Sequence, residues 1–164
     1  MIFIEEVLLM TIATFECEIV QKEFQLVGQS ITANFPEGFP DAAIKASIDF
    51  HRRVDEVSNV VNKNVLISPY MCNEIVATYF VCAEVTEIKD IPDGMIGFKL
   101  PLMDYAKISC SNKTIGEAYS RLFNWMGENG YKSKSFDYAS PVEIFYINEV
   151  VDEELVEVLM PIQL

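Results

Sequence analysis

The sequence predicts an α+β domain with antiparallel strands, built from two similar halves. Two segments repeat apolar residues at helical spacing, and short runs rich in β-branched and aromatic residues flank both of them. The order of elements in the first half resembles that in the second, with the helix starts roughly 73 residues apart. A length of 164 residues and a hydrophobic fraction of 51% suit one domain with a packed interior.

The first half begins with two predicted strands, over residues 15–20 and 25–33, and Gly28 is expected at a bulge or a point of close approach. Apolar residues then recur at spacings of three and four, which predicts a helix over 41–57. The almost continuously apolar run 75–85 predicts a central strand that is covered on both faces.

The second half begins with a predicted strand over 95–110, in which Pro101 indicates an interruption or a bulge. A helix follows this strand. Thr114 is its expected N-cap, and Glu117 three residues later completes a capping box. Gly130 is typical of the C-terminal end of a helix. Two further predicted strands end the chain.

The first of these strands, predicted over residues 142–147, carries a carboxylate among apolar side chains. Alternation along a strand places Glu143, Phe145 and Ile147 on one face. Burial of an ionised carboxylate without a partner costs several kcal/mol, so such a group is usually paired, hydrogen-bonded or protonated. Glu143 is therefore either part of a functional pocket or a residue that reaches solvent or a basic partner.

Glu157 repeats this pattern on the last predicted strand, between Leu155 and Leu159 on the same face. If the turn between the two strands centres near Val150, Glu157 lies opposite Glu143, about 5 Å away at Cβ. Two carboxylates at that distance share a proton or a cation, whereas a slip of one residue places them on opposite faces. The alternatives for Glu157 are solvent exposure at a sheet edge or pairing with a basic residue, namely Lys107, Lys132 or Arg121.

A buried glutamate among aromatic rings is suited to a lipophilic cation, because the carboxylate supplies charge and the rings supply apolar area and cation–π attraction. Aromatic residues on the predicted strands and the second helix are candidates for the wall of such a pocket: Tyr79, Phe80, Tyr105, Tyr119, Phe123, Trp125, Phe145 and Tyr146. The predicted ligand-binding residues are Glu143, Phe145, Tyr79, Tyr105, Trp125, Glu157 and Tyr146.

The charge balance argues against direct binding of nucleic acid. Twelve basic and 25 acidic residues give a net charge of -13, and no basic patch is visible. The 4 cysteines lack C-x-x-C spacing and are expected to be reduced, which favours a cytoplasmic protein. The start "MIFIEEVLLM" has no basic n-region and carries two glutamates, so neither a signal peptide nor a membrane span is predicted. Met10 is an alternative start.

Motifs for common catalytic and cofactor sites are absent from the sequence, including G-x-S-x-G, the P-loop, G-x-G-x-x-G and H-E-x-x-H. His51 is the single histidine, so no zinc site is expected, and neither a metal nor a cofactor is predicted. The remaining catalytic alternative is a hydrolase in which Glu143 acts as general acid or base, assisted by Tyr105 or Tyr146.

Several phrases, taken in their order and spacing, resemble the GyrI-like effector-binding superfamily. They are "VTEIKDIPDGMIGFKLPLMDYAKISC" at 85–110, the helix "TIGEAYSRLFNWMGENGY" and the ending "VEIFYI…VEVLMPI", while "ECEIVQKEFQLVGQSITAN" resembles the first hairpin of the family. The resemblance covers residues 14–163 and implies a duplicated β-α-β-β arrangement, with repeats at about 14–88 and 89–163. It also implies a curved sheet that faces a central ligand cleft. Residues 1–13 are an expected N-terminal extension.

The resemblance further implies a function. Members of this superfamily serve as drug-sensing domains of AraC- and MerR-type transcription regulators, as stand-alone and integron-associated binding proteins, and as a gyrase inhibitor. Glu143 stands at the glutamate of the family's E-x-Y motif, which implies charge recognition, although Phe145 replaces the usual tyrosine. We therefore expect a stand-alone protein that binds a lipophilic cation and contributes to transcription regulation through a protein partner or by sequestering its ligand. A hydrolase of reactive small molecules and an acidic protein-interaction module are the alternatives.

Overall fold

The computed structural model describes residues 15–164, which form seven strands and two α-helices. The predicted α+β class, with antiparallel strands and two helices, is confirmed. In chain order the elements are β1 (Cys17–Asn34), α1 (Asp41–His51), β2 (Val65–Cys72), β3 (Val76–Glu84), β4 (Ile96–Ser111), α2 (Ile115–Glu128), β5 (Lys132–Ser133), β6 (Val142–Tyr146) and β7 (Leu155–Gln163). The predicted extension over residues 1–13 and the alternative start at Met10 lie outside the described residues.

The strands form one antiparallel sheet that closes on itself. Their order is β4-β1-β3-β2-β6-β7-β5, and β4 pairs with β7 as well as with β1. Apart from the short β5, the elements follow the order β-α-β-β twice, and the pairings of β1 with β4 and of β2 with β6 join the two runs. The boundary between repeats near residue 88 stays a prediction.

Alternation along the strands separates an outer face, which the helices cover, from an inner face. On the outer face, Phe50 of α1 and Val81 of β3 share one core cluster. Leu122 of α2 and Val158 of β7 share another. Cys82, the neighbour of Val81 along the chain, belongs to a third cluster that no helix residue joins. This third cluster fills the inside of the closed sheet.

β1 is a single strand of 18 residues, whereas two strands were predicted. The predicted break coincides with a shift in the β1–β4 register between Lys22 and Phe24, across from Pro101. The intervening residue, Glu23, does not favour a tight turn as Gly, Asn or Asp does, so the chain continues through the irregularity. The bulge or interruption expected at Pro101 is therefore confirmed, but it belongs to two long paired strands.

β2 is a strand that the sequence pattern did not predict. Its first residues, Val65, Leu66 and Ile67, are strand formers, but Ser68 and Pro69 break the apolar run. The tertiary fold outweighs this weak local preference, because β2 pairs with β3 on one side and with β6 on the other. Residues of β2 consequently lie beside Glu143, a contact that the sequence analysis did not predict.

α1 is shorter than predicted, because it ends at His51 instead of continuing to residue 57. A short 3-10 turn at Val54–Glu56 follows it, and Val54 and Val57 remain buried. The apolar residues at helical spacing therefore do face the core, but they belong to two elements, a helix and a separate turn. Neither helix within residues 15–164 is long and apolar enough to cross a membrane.

α2 begins after Thr114, as predicted, but the capping box is wrong. The Thr114 side chain makes no capping hydrogen bond to the helix and instead accepts one from the backbone N–H of Ser111 at 3.0 Å. Glu117 pairs with Arg121 at 2.9 Å. The predicted C-terminal stop is confirmed by Gly130, whose φ of 75° lies in the left-handed region that glycine tolerates.

Candidate functional site

Glu143 lies in β6 on the helix-covered face of the sheet. Its register partners are Ser68 in β2 and Val158 in β7. Partners directly across antiparallel strands share a face, and Val158 belongs to the core beneath α2. Phe145, two residues further along β6, packs against the core clusters of both helices. Glu143 and Phe145 therefore share a face, as the alternation in the sequence predicted.

Two tyrosines donate hydrogen bonds to the Glu143 carboxylate, and a third tyrosine extends the network. The Tyr79 hydroxyl donates to Oε1 at 3.0 Å. The Tyr119 hydroxyl donates to Oε2 at 2.5 Å, and the Tyr70 hydroxyl lies 2.7 Å from that of Tyr119. We call these four residues, together with Ser68, the Glu143 site.

The tyrosines of the Glu143 site come from β2, β3 and α2. Tyr70 and Tyr79 are register partners, and their stacked rings lie 6.4 Å apart between centroids. The ring of Tyr119 stacks on Phe123 at 6.4 Å. The ring of Phe39, which precedes α1, lies 6.3 Å from that of Tyr79. The carboxylate is thus bordered by aromatic rings that extend from the start of α1 to α2.

The environment of Glu143 disfavours its charged form. Burial raises the pKa of Glu143 above its ordinary value of 4.5, while hydrogen bonds from Tyr119 and Tyr79 oppose this shift. The side chain is partly exposed as a whole, so the raised pKa reflects the protein packed around the carboxyl group. None of the salt bridges within residues 15–164 involves Glu143. Among these residues, the neighbours of the carboxylate are aromatic rings and hydroxyl groups, and no cationic side chain contacts it.

We predict that Glu143→Gln gains stability relative to the wild type as the pH rises. The folded protein holds the Glu143 proton more tightly than the unfolded chain does. Its contribution to stability is therefore present below the ordinary pKa of 4.5 and is lost as the pH rises through the raised pKa. Glutamine does not titrate. Urea unfolding at about pH 4 and about pH 8 should show the variant gaining stability relative to the wild type at the higher pH.

Ionisation of the neighbouring phenols does not contribute to this measurement. Burial and the nearby Glu143 charge raise the pKa values of Tyr70, Tyr79 and Tyr119 above the ordinary 10.0, outside the pH range of the experiment. The exposed Glu128→Gln is the matched control for the loss of one carboxylate from the protein. A stability difference for Glu143→Gln that is the same at both pH values would contradict the prediction.

The predicted ligand-binding residues separate into two groups. Tyr79 donates a hydrogen bond to Glu143, and Phe145 lies on the same face of the sheet as Glu143. Tyr79 is therefore part of the Glu143 site, and Phe145 lies next to it. Trp125 lies on α2 but stacks on Tyr131, with 5.5 Å between centroids, and packs against the core beneath α2. Its binding role is an untested prediction that the contacts of the Glu143 site do not support.

Tyr105 and Tyr146 lie on the inner face of the sheet. Tyr105 is 1% exposed and packs edge-to-face with Phe24. Tyr146 packs against the same inner cluster, and its hydroxyl donates to Glu157. Neither phenol is therefore placed to assist Glu143 as a general acid or base, because the sheet itself separates them.

The expected pairing of Glu157 with Glu143 is wrong by one residue. In the β6–β7 register, Glu143 opposes Val158, and Ile144 opposes Glu157. Glu157 therefore lies on the inner face, where Lys107 Nζ contacts its Oε2 at 2.8 Å. Pairing with Lys107 was the alternative that the sequence left open. The β6–β7 register differs by one residue from the assumed one, which inverts the face of every side chain on β7 relative to β6.

The sequence did not single out two residues of the Glu143 site, Ser68 and Tyr70. Both lie on β2, the strand that was not predicted, and their distance from Glu143 along the chain hides the contact. Tyr119 was among the aromatic candidates but was not in the predicted ligand-binding set. The signal that could have found Tyr70 is the implied β-α-β-β order, which requires two strands after the first helix.

Two cavities among the described residues lie away from the Glu143 site. One of about 330 Å³ is lined by residues such as Leu102 and Phe136, and another of about 340 Å³ follows the exposed side of α1 between Ile44 and Ile48. The Glu143 carboxylate is covered by its own tyrosines. No group of three His, Cys, Asp or Glu side chains within residues 15–164 is arranged to hold a metal ion.

The closed antiparallel sheet, the two helices and the aromatic-bordered carboxylate all lie within residues 17–163. Residues 19–163 match the family described as the GyrI-like small molecule binding domain, and the chain belongs to this family. The resemblance noted in the sequence is therefore confirmed. No curated protein sequence matches the chain.

Solved structures at low sequence identity share the fold. The C-terminal domain of EcmrR has a TM-score of 0.69 at 14% identity, covering 92% of this chain and 98% of that one. A putative bacterial transcription regulation protein from Staphylococcus aureus MU50 has a TM-score of 0.67 at 11% identity, covering 91% and 99%. SAV2435 bound to tetraphenylphosphonium has a TM-score of 0.62 at 12% identity, covering 90% and 95%.

Proposed function

We propose that this protein binds an amphipathic, cationic small molecule at the Glu143 site. The observation that carries the proposal is a carboxylate in a largely aromatic environment, with Tyr79 and Tyr119 as donors and no cationic side chain in contact within residues 15–164. A ligand cation would supply the missing positive charge, and the rings would add apolar area and cation–π attraction.

Access to Glu143 is proposed from the side of Tyr70 and Tyr119. Tyr79 is only 6% exposed, whereas Tyr70 and Tyr119 are partly exposed. Phe123, which stacks on Tyr119, is 48% exposed. A cation that displaces the Tyr119 hydroxyl reaches Oε2 of Glu143, while Tyr79 keeps its hydrogen bond to Oε1. The cost of breaking the Tyr119 contact is offset when the ligand pairs with the carboxylate.

The structural relatives are consistent with this proposal. SAV2435 has been solved with tetraphenylphosphonium, a lipophilic cation, and EcmrR carries a domain of this fold. We extend the proposal to a cytoplasmic ligand-binding protein that influences transcription through a regulator protein. The net charge of -13 supports an indirect role, because direct binding to phosphates requires a basic surface.

A cationic rhodamine dye tests the proposal by fluorescence anisotropy. The wild type should bind the dye, and Glu143→Gln should bind it at least about tenfold more weakly, because the charge attraction is lost while the shape is kept. Glu128→Gln is the control for the change in net charge, since this exposed residue lies at the end of α2. The proposal would be contradicted if the dye bound the wild type and Glu143→Gln with equal affinity, or if it did not bind the wild type.

A further inference from the structure

Ser68 is a buried hydroxyl beside Glu143 that lacks a partner. It is 0% exposed, and within the described part of the chain its Oγ makes no hydrogen bond. Ser68 is the register partner of Glu143 on the adjacent strand, so the two side chains share a face and their Cβ atoms lie about 5 Å apart. Buried hydroxyls are usually satisfied, and an orphaned one next to a binding carboxylate calls for a polar group supplied from outside the protein.

The Tyr79 hydroxyl does not satisfy Ser68. The serine is close enough to lower the pKa of Tyr79, against the larger raising effect of burial, yet the two hydroxyls do not reach hydrogen-bond geometry. A hydrogen bond requires both a short distance and good alignment, so proximity alone leaves the Ser68 hydroxyl without a partner among the described residues. Ser68 therefore lies beside the phenol that stays at the base of the Glu143 site when Tyr119 moves.

The phenolic protons of the Glu143 site are all committed when Glu143 is ionised. Tyr119 has one hydroxyl proton and donates it to Glu143, so Tyr70 must be the donor in its contact with Tyr119. Tyr79 donates its own proton to Glu143. The hydrogen-bonding capacity that remains consists of acceptor lone pairs on Tyr70, Tyr79 and Ser68, and of one donor proton on Ser68. The site therefore has many acceptors and few free donors, which favours a ligand that brings N–H donors.

We propose that the Glu143 site prefers protonated amines to quaternary cations of similar size, and that Ser68 accepts an N–H of the bound ammonium group. The inference rests on the proposed function, because Glu143 is taken as the charge partner. The Ser68 oxygen presents its lone pairs to the N–H of the ligand. A quaternary ammonium or phosphonium ion has no N–H, so it leaves Ser68 unsatisfied.

Phenylbutylammonium and phenylbutyltrimethylammonium are a matched pair of probes, and their affinities follow from displacement of the rhodamine dye. The wild type should bind the protonated amine about tenfold more tightly than its trimethyl counterpart, as expected for a hydrogen bond to a charged group. Ser68→Ala should reduce this preference to about threefold or less, mainly by weakening binding of the amine. Glu143→Gln should weaken both probes.

Folding is not expected to obscure the result. Ser68→Ala removes an unsatisfied polar atom, so its melting temperature should equal or exceed that of the wild type. Equal affinity of the wild type for the two probes, or a preference that Ser68→Ala leaves intact, overturns the inference while the charge role of Glu143 stands. If neither probe displaces the dye from the wild type, the inference is overturned, whereas the proposed function is decided by the Glu143-dependent binding of the dye itself.

Discussion

Gly28→Ala is expected to destabilise the protein by about 3 kcal/mol or more, because the new methyl group has no space. A Cβ atom at this position would lie 2.0 Å from the carbonyl oxygen of Val81 and 2.5 Å from Cα of Cys82. Both contacts are with backbone atoms of β3, which cannot rotate away as a side chain can. The strands must separate or the register must change.

The position of Gly28 makes this separation costly. Gly28 is paired with Cys82 in β3 and with Ile96 in β4, so β1 is held on both sides. Movement of β1 from β3 would disturb the outer core, in which Val27 and Val81 are buried. At roughly 2–4 °C per kcal/mol for a domain of this size, the melting temperature should fall by roughly 6–12 °C.

Gly116→Ala is the matched control for this substitution. Gly116 lies in the first turn of α2, and a Cβ atom there would meet nothing within 4 Å. Alanine has a higher helix propensity, so this variant should be about 0.5–1 kcal/mol more stable than the wild type. Thermal unfolding of both variants followed by circular dichroism decides the matter. A Gly28→Ala protein that melts with the wild type would show that β1 and β3 can separate freely.

Gly28 also shows what a local pattern can predict. A glycine inside a strand pattern indicated either a bulge or a close approach, and the structure selects the close approach. The irregularity of β1 lies instead at Lys22–Phe24, across from Pro101. A proline indicates an irregularity at its own position, because it lacks the backbone N–H that a paired strand residue donates. The partner that a glycine must accommodate is set by tertiary pairing, which one strand's sequence does not contain.

The same distinction applies to the Glu143 site. Glu143 was identified from sequence because a carboxylate on an apolar strand is unusual wherever it is buried. The face of β6 on which Glu143 lies was also predicted, because side chains alternate between the two faces along a strand. Tyr70 and Ser68 did not follow, since they reach Glu143 only through the pairing of β2 with β6. The register of Glu157 was missed by one residue, and in a sheet one residue is enough to exchange the two faces.

Because of the one-residue difference in register, Glu143 and Glu157 lie on opposite faces of the sheet and have different neighbours. Glu143, on the outer face, has phenols for neighbours and no cation in contact among the described residues. Glu157, on the inner face, contacts Lys107 at 2.8 Å and accepts a hydrogen bond from Tyr146. A carboxylate that is already neutralised by the protein is poorly suited to recognise a ligand cation. We therefore assign Glu157 to stability and propose binding for Glu143.

Lys107→Met is expected to destabilise the protein by about 2–3 kcal/mol, because it leaves Glu157 without its cation. The side chains of Lys107 and Glu157 are 17% and 13% exposed, so water replaces the lost partner only in part. The full cost of breaking a buried pair is reduced here by this residual exposure and by the Tyr146 hydroxyl, which keeps its hydrogen bond to the carboxylate. Lys107 also contacts the exposed Glu18 at 2.8 Å, and that contact adds little.

Lys63→Met is the matched control, since it removes the same charge from a pair that faces water. Lys63 and Asp55 are 55% and 79% exposed, and such pairs contribute about 0–1 kcal/mol. Urea unfolding at neutral pH should separate the two variants by more than about 1 kcal/mol. Adding Glu157→Gln to Lys107→Met removes the uncompensated charge and keeps an acceptor for Tyr146, so the double variant should recover part of the loss. Equal losses for Lys107→Met and Lys63→Met, or no recovery in the double variant, would mean that water reaches Glu157 and that its charge needs no partner.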